Sequence, residues 1–347
     1  MSASASSALV SVSCLLGVLV SGIARADSAA PGGADTTGAH PPTPAAAAVT
    51  VGEHIVAPGM QGGPDAADVP LERSYGFVKS GGEDIYYEST GHGDPLVLCH
   101  GAAGNHLVWY QQVAALAASY RVITWDQRGF GLSTNKTGVG GPEAAVRDLE
   151  AVLTHLEVRR AHLVGQSMGG WAALGLVLAH PDRVLSLILA DSVAGIETPE
   201  IEAAEDAYLK AARAAPRPET LPLGRHPALK DDFWHRDPAR AFLYQDLSLL
   251  RQPEATGGQA QRNTTYARDS LRRIKTPVLF VVGSQDEIFP PALIRRAAAL
   301  VPGATVVEIP DAGHSPYFET PDVWNAAVLS FLQQDGGHRE PSGSRGP

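Results

Sequence analysis

Residues Gly165-Gln166-Ser167-Met168-Gly169 place a serine with a glycine two positions away on either side. They come directly after the apolar Leu163-Val164 and just before a helix-forming run from Trp171 to Leu178. A strand that turns into a helix at one residue forces the positions two before and two after it against other backbone, and glycine tolerates that approach. The serine is then held in a strained conformation with its hydroxyl pointing out of the sheet and the positive end of the helix directed at it. Such a hydroxyl can attack a carbonyl once a base takes its proton. The spacing therefore predicts Ser167 as a nucleophile.

An acid and a base should follow it in chain order, each on a loop after its own strand. Thr276 to Gly283 reads as a buried parallel strand ending in Ser284-Gln285-Asp286, and Ala304 to Pro310 as a further strand followed by Asp311-Ala312-Gly313-His314. A helix from Pro290 to Val301 separates the two, so both loops open on one edge of a parallel sheet. Asp286 is the expected acid and His314 the expected base. Asp191, at the end of the sixth strand, is the competing acid, and Asp286 is preferred to it. The strand Pro95 to Cys99 ends in His100-Gly101-Ala102-Ala103-Gly104, whose small residues leave backbone amides facing a substrate oxygen. The amides of Ala102 and Met168 are the expected oxyanion-hole donors. His100, beside the glycine turn, is read as a brace for that loop.

Trp125-Asp126-Gln127-Arg128-Gly129-Phe130-Gly131-Leu132-Ser133 adds a further signature. Together with the Ser167 turn and the His-Gly pair, it makes the chain, over roughly Ser74 to Gln334, resemble an α/β-hydrolase-fold serine hydrolase of esterase or lactonase type with an inserted cap. The resemblance implies an architectural role for Asp126 and Arg128. It also separates branches of the family. Epoxide hydrolases and haloalkane dehalogenases carry Asp where Ser167 stands, and cofactor-free perhydrolases tend to have an aromatic residue and Pro where Ala102-Ala103 stand. Hydrolases of carbon-carbon bonds in ring-fission products share Ser-Met-Gly-Gly and a cap, but usually have Trp in the place of Ser315. Ester hydrolysis is the leading expectation. Lactone hydrolysis and carbon-carbon cleavage remain the runner-up, and a ligand-binding protein that retains the triad but turns over little is a different-class alternative.

The elements that must position these residues follow from the rest of the chain. Two alternating strands, Tyr75 to Lys79 and Glu83 to Glu88, are joined by Ser80-Gly81-Gly82 as a hairpin. Strands at Arg121 to Trp125, Ala161 to Val164 and Val184 to Ala190 then alternate with helices at Asn105 to Ala118, Pro142 to Leu156 and Met168 to His180. The expected fold is α/β, a mostly parallel doubly wound sheet. A helical cap, about residues 195–272 and punctuated by proline, is inserted after the sixth strand. Cap side chains should wall the substrate pocket, with Phe233, Trp234, Phe242 and Tyr244 as the substrate-binding candidates, Leu243 and Leu247 beside them, and Trp109 from the helix after the His-Gly loop.

The chain has 347 residues and a formal net charge of -10, enough for one large core and no basic surface for nucleic acid. No HExxH, paired CxxC or phosphate loop is present, so no cofactor and no metal is expected. The expected partner is a small-molecule ester or lactone. Residues 1–26 read as a signal peptide, with Ala24-Arg25-Ala26 as the cleavage site, which predicts export to the periplasm or medium; the alternative is an uncleaved membrane anchor. Residues 27–70 read as a disordered linker and 335–347 as a disordered tail around the hydrolase domain at 71–334. With Cys14 removed, Cys99 is left without a disulfide partner.

Overall fold

The continuous apolar runs of this sequence form strands covered on both faces, which is why they show no polar alternation. A computed structural model describes residues 71–102, 104–214, 223–250 and 265–336. The segments expected to be a signal peptide and a linker, part of the inserted segment and the residues beyond 336 lie outside the described residues. Strands β1 (Arg73–Ser80), β2 (Glu83–Thr90), β3 (Asp94–Cys99), β4 (Tyr120–Trp125), β5 (Ala161–Gln166), β6 (Val184–Ala190), β7 (Val278–Gly283) and β8 (Thr305–Ile309) form one eight-stranded sheet in the order β1-β2-β4-β3-β5-β6-β7-β8. The pairs β1–β2 and β2–β4 are antiparallel and every other pair is parallel. Ser80 pairs with Glu83 across Gly81 and Gly82. Both glycines have positive φ, at 53° and 88°, as a two-residue hairpin turn requires.

The crossovers carry α1 (Tyr110–Leu116), α2 (Pro142–His155), α3 (Gly169–Ala179), α4 (Pro199–Ala214), α5 (Phe233–Arg236), α6 (Pro238–Leu247), α7 (Arg268–Leu271), α8 (Pro291–Ala298), α9 (Pro316–Glu319) and α10 (Pro321–Gly336). Successive strand residues feed opposite faces. Leu163, Leu187 and Phe280 pack with α2, α3 and α8, whereas Val164, Ile188 and Leu279 pack with α1 and α10. This is the α/β-hydrolase fold that the motifs imply.

Several boundaries differ from the sequence reading, two of them in kind. The helix expected over Asn105 to Ala118 is divided into a 3-10 turn, His106–Trp109, and α1. The turn is tightened by the Asn105 side chain accepting from the Leu107 amide and by the His106 amide donating to Asp126 Oδ1 at 2.6 Å. In addition, α10 runs on to Gly336, two residues into the expected tail.

The loop after β4 is architectural. The Asp126 carboxylate also accepts from the Leu132 amide at 2.8 Å and meets His106 Nδ1 at 2.9 Å. Arg128 grips the fully buried Asp148 of α2 through two bonds, Nε to Oδ2 at 2.5 Å and Nη2 to Oδ1 at 2.8 Å, and donates to the carbonyls of Ser80 and Val139. That fork ties the hairpin, the loop and α2 together. Removing one partner of a buried pair strands the other charge, at about 3 to 5 kcal/mol. Arg128→Leu is therefore expected to lower unfolding free energy by that order in urea titration. A loss below about 1 kcal/mol would show that the pair contributes little.

Candidate active site

Ser167 has φ of 48° in the left-handed region, where a serine persists only if its surroundings hold it. Its surroundings do so by contact. A Cβ on Gly165 would come within 2.7 Å of the Gly169 carbonyl oxygen and of Gly170 Cα, and one on Gly169 would collide with the Cys99 carbonyl. The Ser167 amide donates to the Ala190 carbonyl at 2.9 Å, and the Ser192 hydroxyl donates to the Ser167 carbonyl at 2.7 Å. The elbow is thus clamped between the ends of β3 and β6.

The loop after β3 lies directly on the nucleophile. A Cβ on Gly101 would stand 3.0 Å from Ser167 Cβ and collide with the Gln166 side-chain oxygen. His100 braces this loop, as expected. Its Nδ1 donates to the Gly101 carbonyl at 2.8 Å, its Nε2 accepts from the Gln127 amide at 3.0 Å, and the Gln127 side chain donates to the His100 carbonyl at 2.7 Å. Ala102 follows on that loop and Met168 caps α3 immediately after Ser167. The two expected oxyanion donors thus stand next in the chain to Gly101, which lies on Ser167, and to Ser167 itself.

Asp286 and His314 meet at the neighbouring strand ends. Asp286 Oδ1 accepts from the amides of Ile288 at 2.8 Å and Phe289 at 3.0 Å, which leaves Oδ2 to accept from His314 Nδ1 at 2.8 Å. With Nδ1 as donor to a carboxylate, the lone pair of the imidazole stays on Nε2. That atom is buried and has no hydrogen-bond partner. The backbone of the base is held separately. Gln166 donates to the His314 carbonyl at 3.0 Å, and the Ser315 hydroxyl shares a 2.8 Å hydrogen bond with Tyr244. Buried Glu319 accepts from the amides of Gly313 and Lys230, both at 2.9 Å. Burial pushes the Glu319 carboxyl up to about 7. Lys230 and Arg236 of the insert also pair with Asp311, which has φ of 57° at the start of the base loop.

Asp191 shares this site. It is fully buried with φ of 47°, and its Oδ1 accepts from the Gly283 amide at 2.8 Å while Oδ2 has no partner. One ligating atom each from Asp191, Asp286 and His314 lies within 4.8 Å of the others. Burial first, and then the neighbouring Asp286 charge, raise the Asp191 carboxyl well above the ordinary range. The bond to the imidazole belongs to Asp286, while burial beside it disfavours the charged form of Asp191.

The aromatic candidates separate. Tyr244 is brought to the site through Ser315. Trp109 has no exposed surface and packs in the core between Tyr317 and Trp324. Phe233 is buried in the same core cluster, with Arg236 and Arg240 over its ring. Trp234 lies over its neighbour His235 and only partly covers that cluster. Phe242 and Leu243 face solvent, at 42% and 38% exposure, while Leu247 is buried.

One buried group of the insert is not marked by the sequence at all. His226 Nδ1 accepts from the Ala228 amide at 3.1 Å, so its Nε2 carries the hydrogen, and that atom is buried without a partner. The ring packs edge-on against Tyr244, with centroids 4.9 Å apart. Burial, and then proximity to His314, depress its pKa to about 3.

Residues 94–321 match the family described as alpha/beta hydrolase fold. The chain belongs to that family. A provisionally named non-heme bromoperoxidase of Mycobacterium tuberculosis, BpoC, is 31% identical over 261 residues, covering 72% of this chain and 97% of the relative. A thermophilic esterase from Thermogutta terrifontis superposes with a TM-score of 0.64 at 29% identity, covering 76% of this chain and 99% of that one. The enol-lactonase from Burkholderia xenovorans superposes with a TM-score of 0.61 at 26% identity, covering 74% and 99%.

The depressed His226 predicts an acid signature in this hydrolase. Between pH 6.5 and about 3 the unfolded chain takes up a proton at this position that the folded chain refuses, so stability falls as pH falls through that window. In His226→Leu the decline of Tm across that range is expected to be shallower than in the wild type. Parallel Tm–pH curves would show that His226 does not resist protonation.

Proposed function

We propose that this hydrolase cleaves carboxylic ester bonds of small molecules through an acyl-enzyme on Ser167. The observation that carries the reading is the 2.8 Å bond from His314 Nδ1 to Asp286, which leaves a buried Nε2 without a partner among the described residues, on a residue whose carbonyl is held by Gln166, next to the strained serine in the chain. Nε2 takes the Ser167 proton as the hydroxyl oxygen attacks the ester carbonyl, and Asp286 stabilises the imidazolium that forms. The amides of Ala102 and Met168 donate to the oxyanion. The imidazolium then protonates the leaving alcohol, and Nε2 activates a water to release the acid. No step calls on a metal or an organic cofactor. The occupants of the site are small molecules, and export by the N-terminal segment would place them outside the cytoplasm.

Lactones are the second reading, favoured by the likeness to an enol-lactonase, because a lactone is an ester closed on itself and needs no further group. Carbon-carbon cleavage is less favoured, since Ser315 stands where that branch usually carries Trp and its hydroxyl is occupied by Tyr244.

A fluorophosphonate should label Ser167 within minutes, and Ser167→Ala should lose labelling and on the order of 10³-fold or more in kcat on every ester tested. An unlabelled, inactive wild type would favour the binding-protein alternative. Asp286→Asn is expected to lower kcat by about 10³- to 10⁴-fold by spoiling the imidazole tautomer. Asp191→Asn, which puts a neutral amide in place of a carboxyl whose charged form burial disfavours, should cost less than about tenfold. The reverse order in folded variants would transfer the acid's role to Asp191.

A further inference from the structure

We propose that His226 is a specificity-determining donor: its Nε2–H takes a neutral oxygen acceptor, an ether, carbonyl or hydroxyl oxygen, that the substrate carries close to its scissile ester. The inference rests on the ester-hydrolase reading and names the substrate class within it. The tautomer is set by the chain itself, because the Ala228 amide occupies Nδ1. Among the described residues the hydrogen on Nε2 finds no acceptor, and the residue is only 7% exposed. Leaving a buried donor unsatisfied is costly, and a site that does so discriminates strongly in favour of a ligand that satisfies it.

The placement points to the substrate. Tyr244 packs on the His226 ring and bonds the Ser315 hydroxyl, one residue from the base. A few residues on, the same stretch of the insert lies backbone to backbone on the other neighbour of the base. A Cβ on Gly313 would come within 2.6 Å of the Lys230 nitrogen and 3.0 Å of the Leu229 carbonyl carbon. Glu319 holds the amides of Lys230 and Gly313 together. His226 is thereby fixed to both residues that flank His314. Two buried, unpartnered imidazole nitrogens result, one a donor on the insert and one an acceptor on the base. The donor is uncharged at neutral pH, so an anionic substituent would gain no counter-charge from it. A neutral oxygen fits.

The test uses matched ester pairs that differ by one oxygen for one methylene. p-Nitrophenyl methoxyacetate against p-nitrophenyl butyrate probes the acyl side, and 2-methoxyethyl acetate against butyl acetate probes the alcohol side. The quantity read is the ratio of kcat/KM within each pair, compared between the wild type and the variants so that intrinsic reactivity cancels. His226→Phe should lower the ratio for the oxygen-bearing ester by roughly tenfold or more in at least one pair, chiefly through KM, and His226→Gln, which keeps an N–H donor, should restore part of it. His226→Leu serves if the phenylalanine variant does not fold. An unchanged ratio in both pairs, or an equal loss in Phe and Gln variants, overturns the inference. Fluorophosphonate labelling of wild-type Ser167 separates the two failures. Labelling with unmoved ratios refutes the role of His226 alone, whereas absence of both labelling and ester turnover refutes the hydrolase reading and the inference with it.

Discussion

The site depends on one crossing of backbone at which no side chain fits. The turn at Ser167 brings Gly169 against the carbonyls of Cys99 and His100, and Gly165 against Gly170. That contact sets the height of the serine relative to the end of β3. It also holds φ of Ser167 at a value the residue would not keep alone. The Ser192 bond to the Ser167 carbonyl extends the constraint to β6, and parallel pairing carries it on to β7 and β8, whose loops carry Asp286 and His314. The distances among the reacting groups are thus inherited from sheet register. Side-chain bonds then set their orientation.

Three carboxyls lie in this buried region, and each receives a different number of N–H groups. Asp286 has two amides and an imidazole, and is the acceptor that orients His314. Asp191 has one amide, and burial, then the neighbouring Asp286, raise its carboxyl well above the ordinary range. Glu319 has amides from both the His314 loop and the insert, and burial lifts its carboxyl to about 7. The shift at Asp191 is what two carboxyls within 4.8 Å of one imidazole should show, since two charges there would repel.

The fold and the contact between Asp286 and His314 were legible because each left a local trace. The Gly-x-Ser-x-Gly turn, the strand-loop-Asp and strand-loop-His units, and the Asp126–Arg128 loop all announce their structure within a few residues. The walls of the site left no such trace. Trp109 and Phe233 look like pocket residues in a stretch of sequence, yet Tyr317, Trp324, Arg236 and Arg240 cover them, and those partners are set only by folding. Phe242 and Leu243 point outward from α6, although Tyr244 on the same helix faces Ser315. His226 sits before Pro227 with no periodicity around it. Its burial comes from Tyr244 and its influence from His314, 88 residues further on by numbering (314 − 226).

The contact between Gly313 and Lys230 is made by backbone, with Glu319 bridging two amides. These backbone joints do not depend on which side chains Leu229 and Lys230 carry, whereas Tyr244 on Ser315 and Lys230 and Arg236 on Asp311 add joints that do. Sequence drift along that stretch of the insert can therefore proceed without moving the backbone that carries His314. A scaffold built this way separates the residues that vary from the frame that holds them.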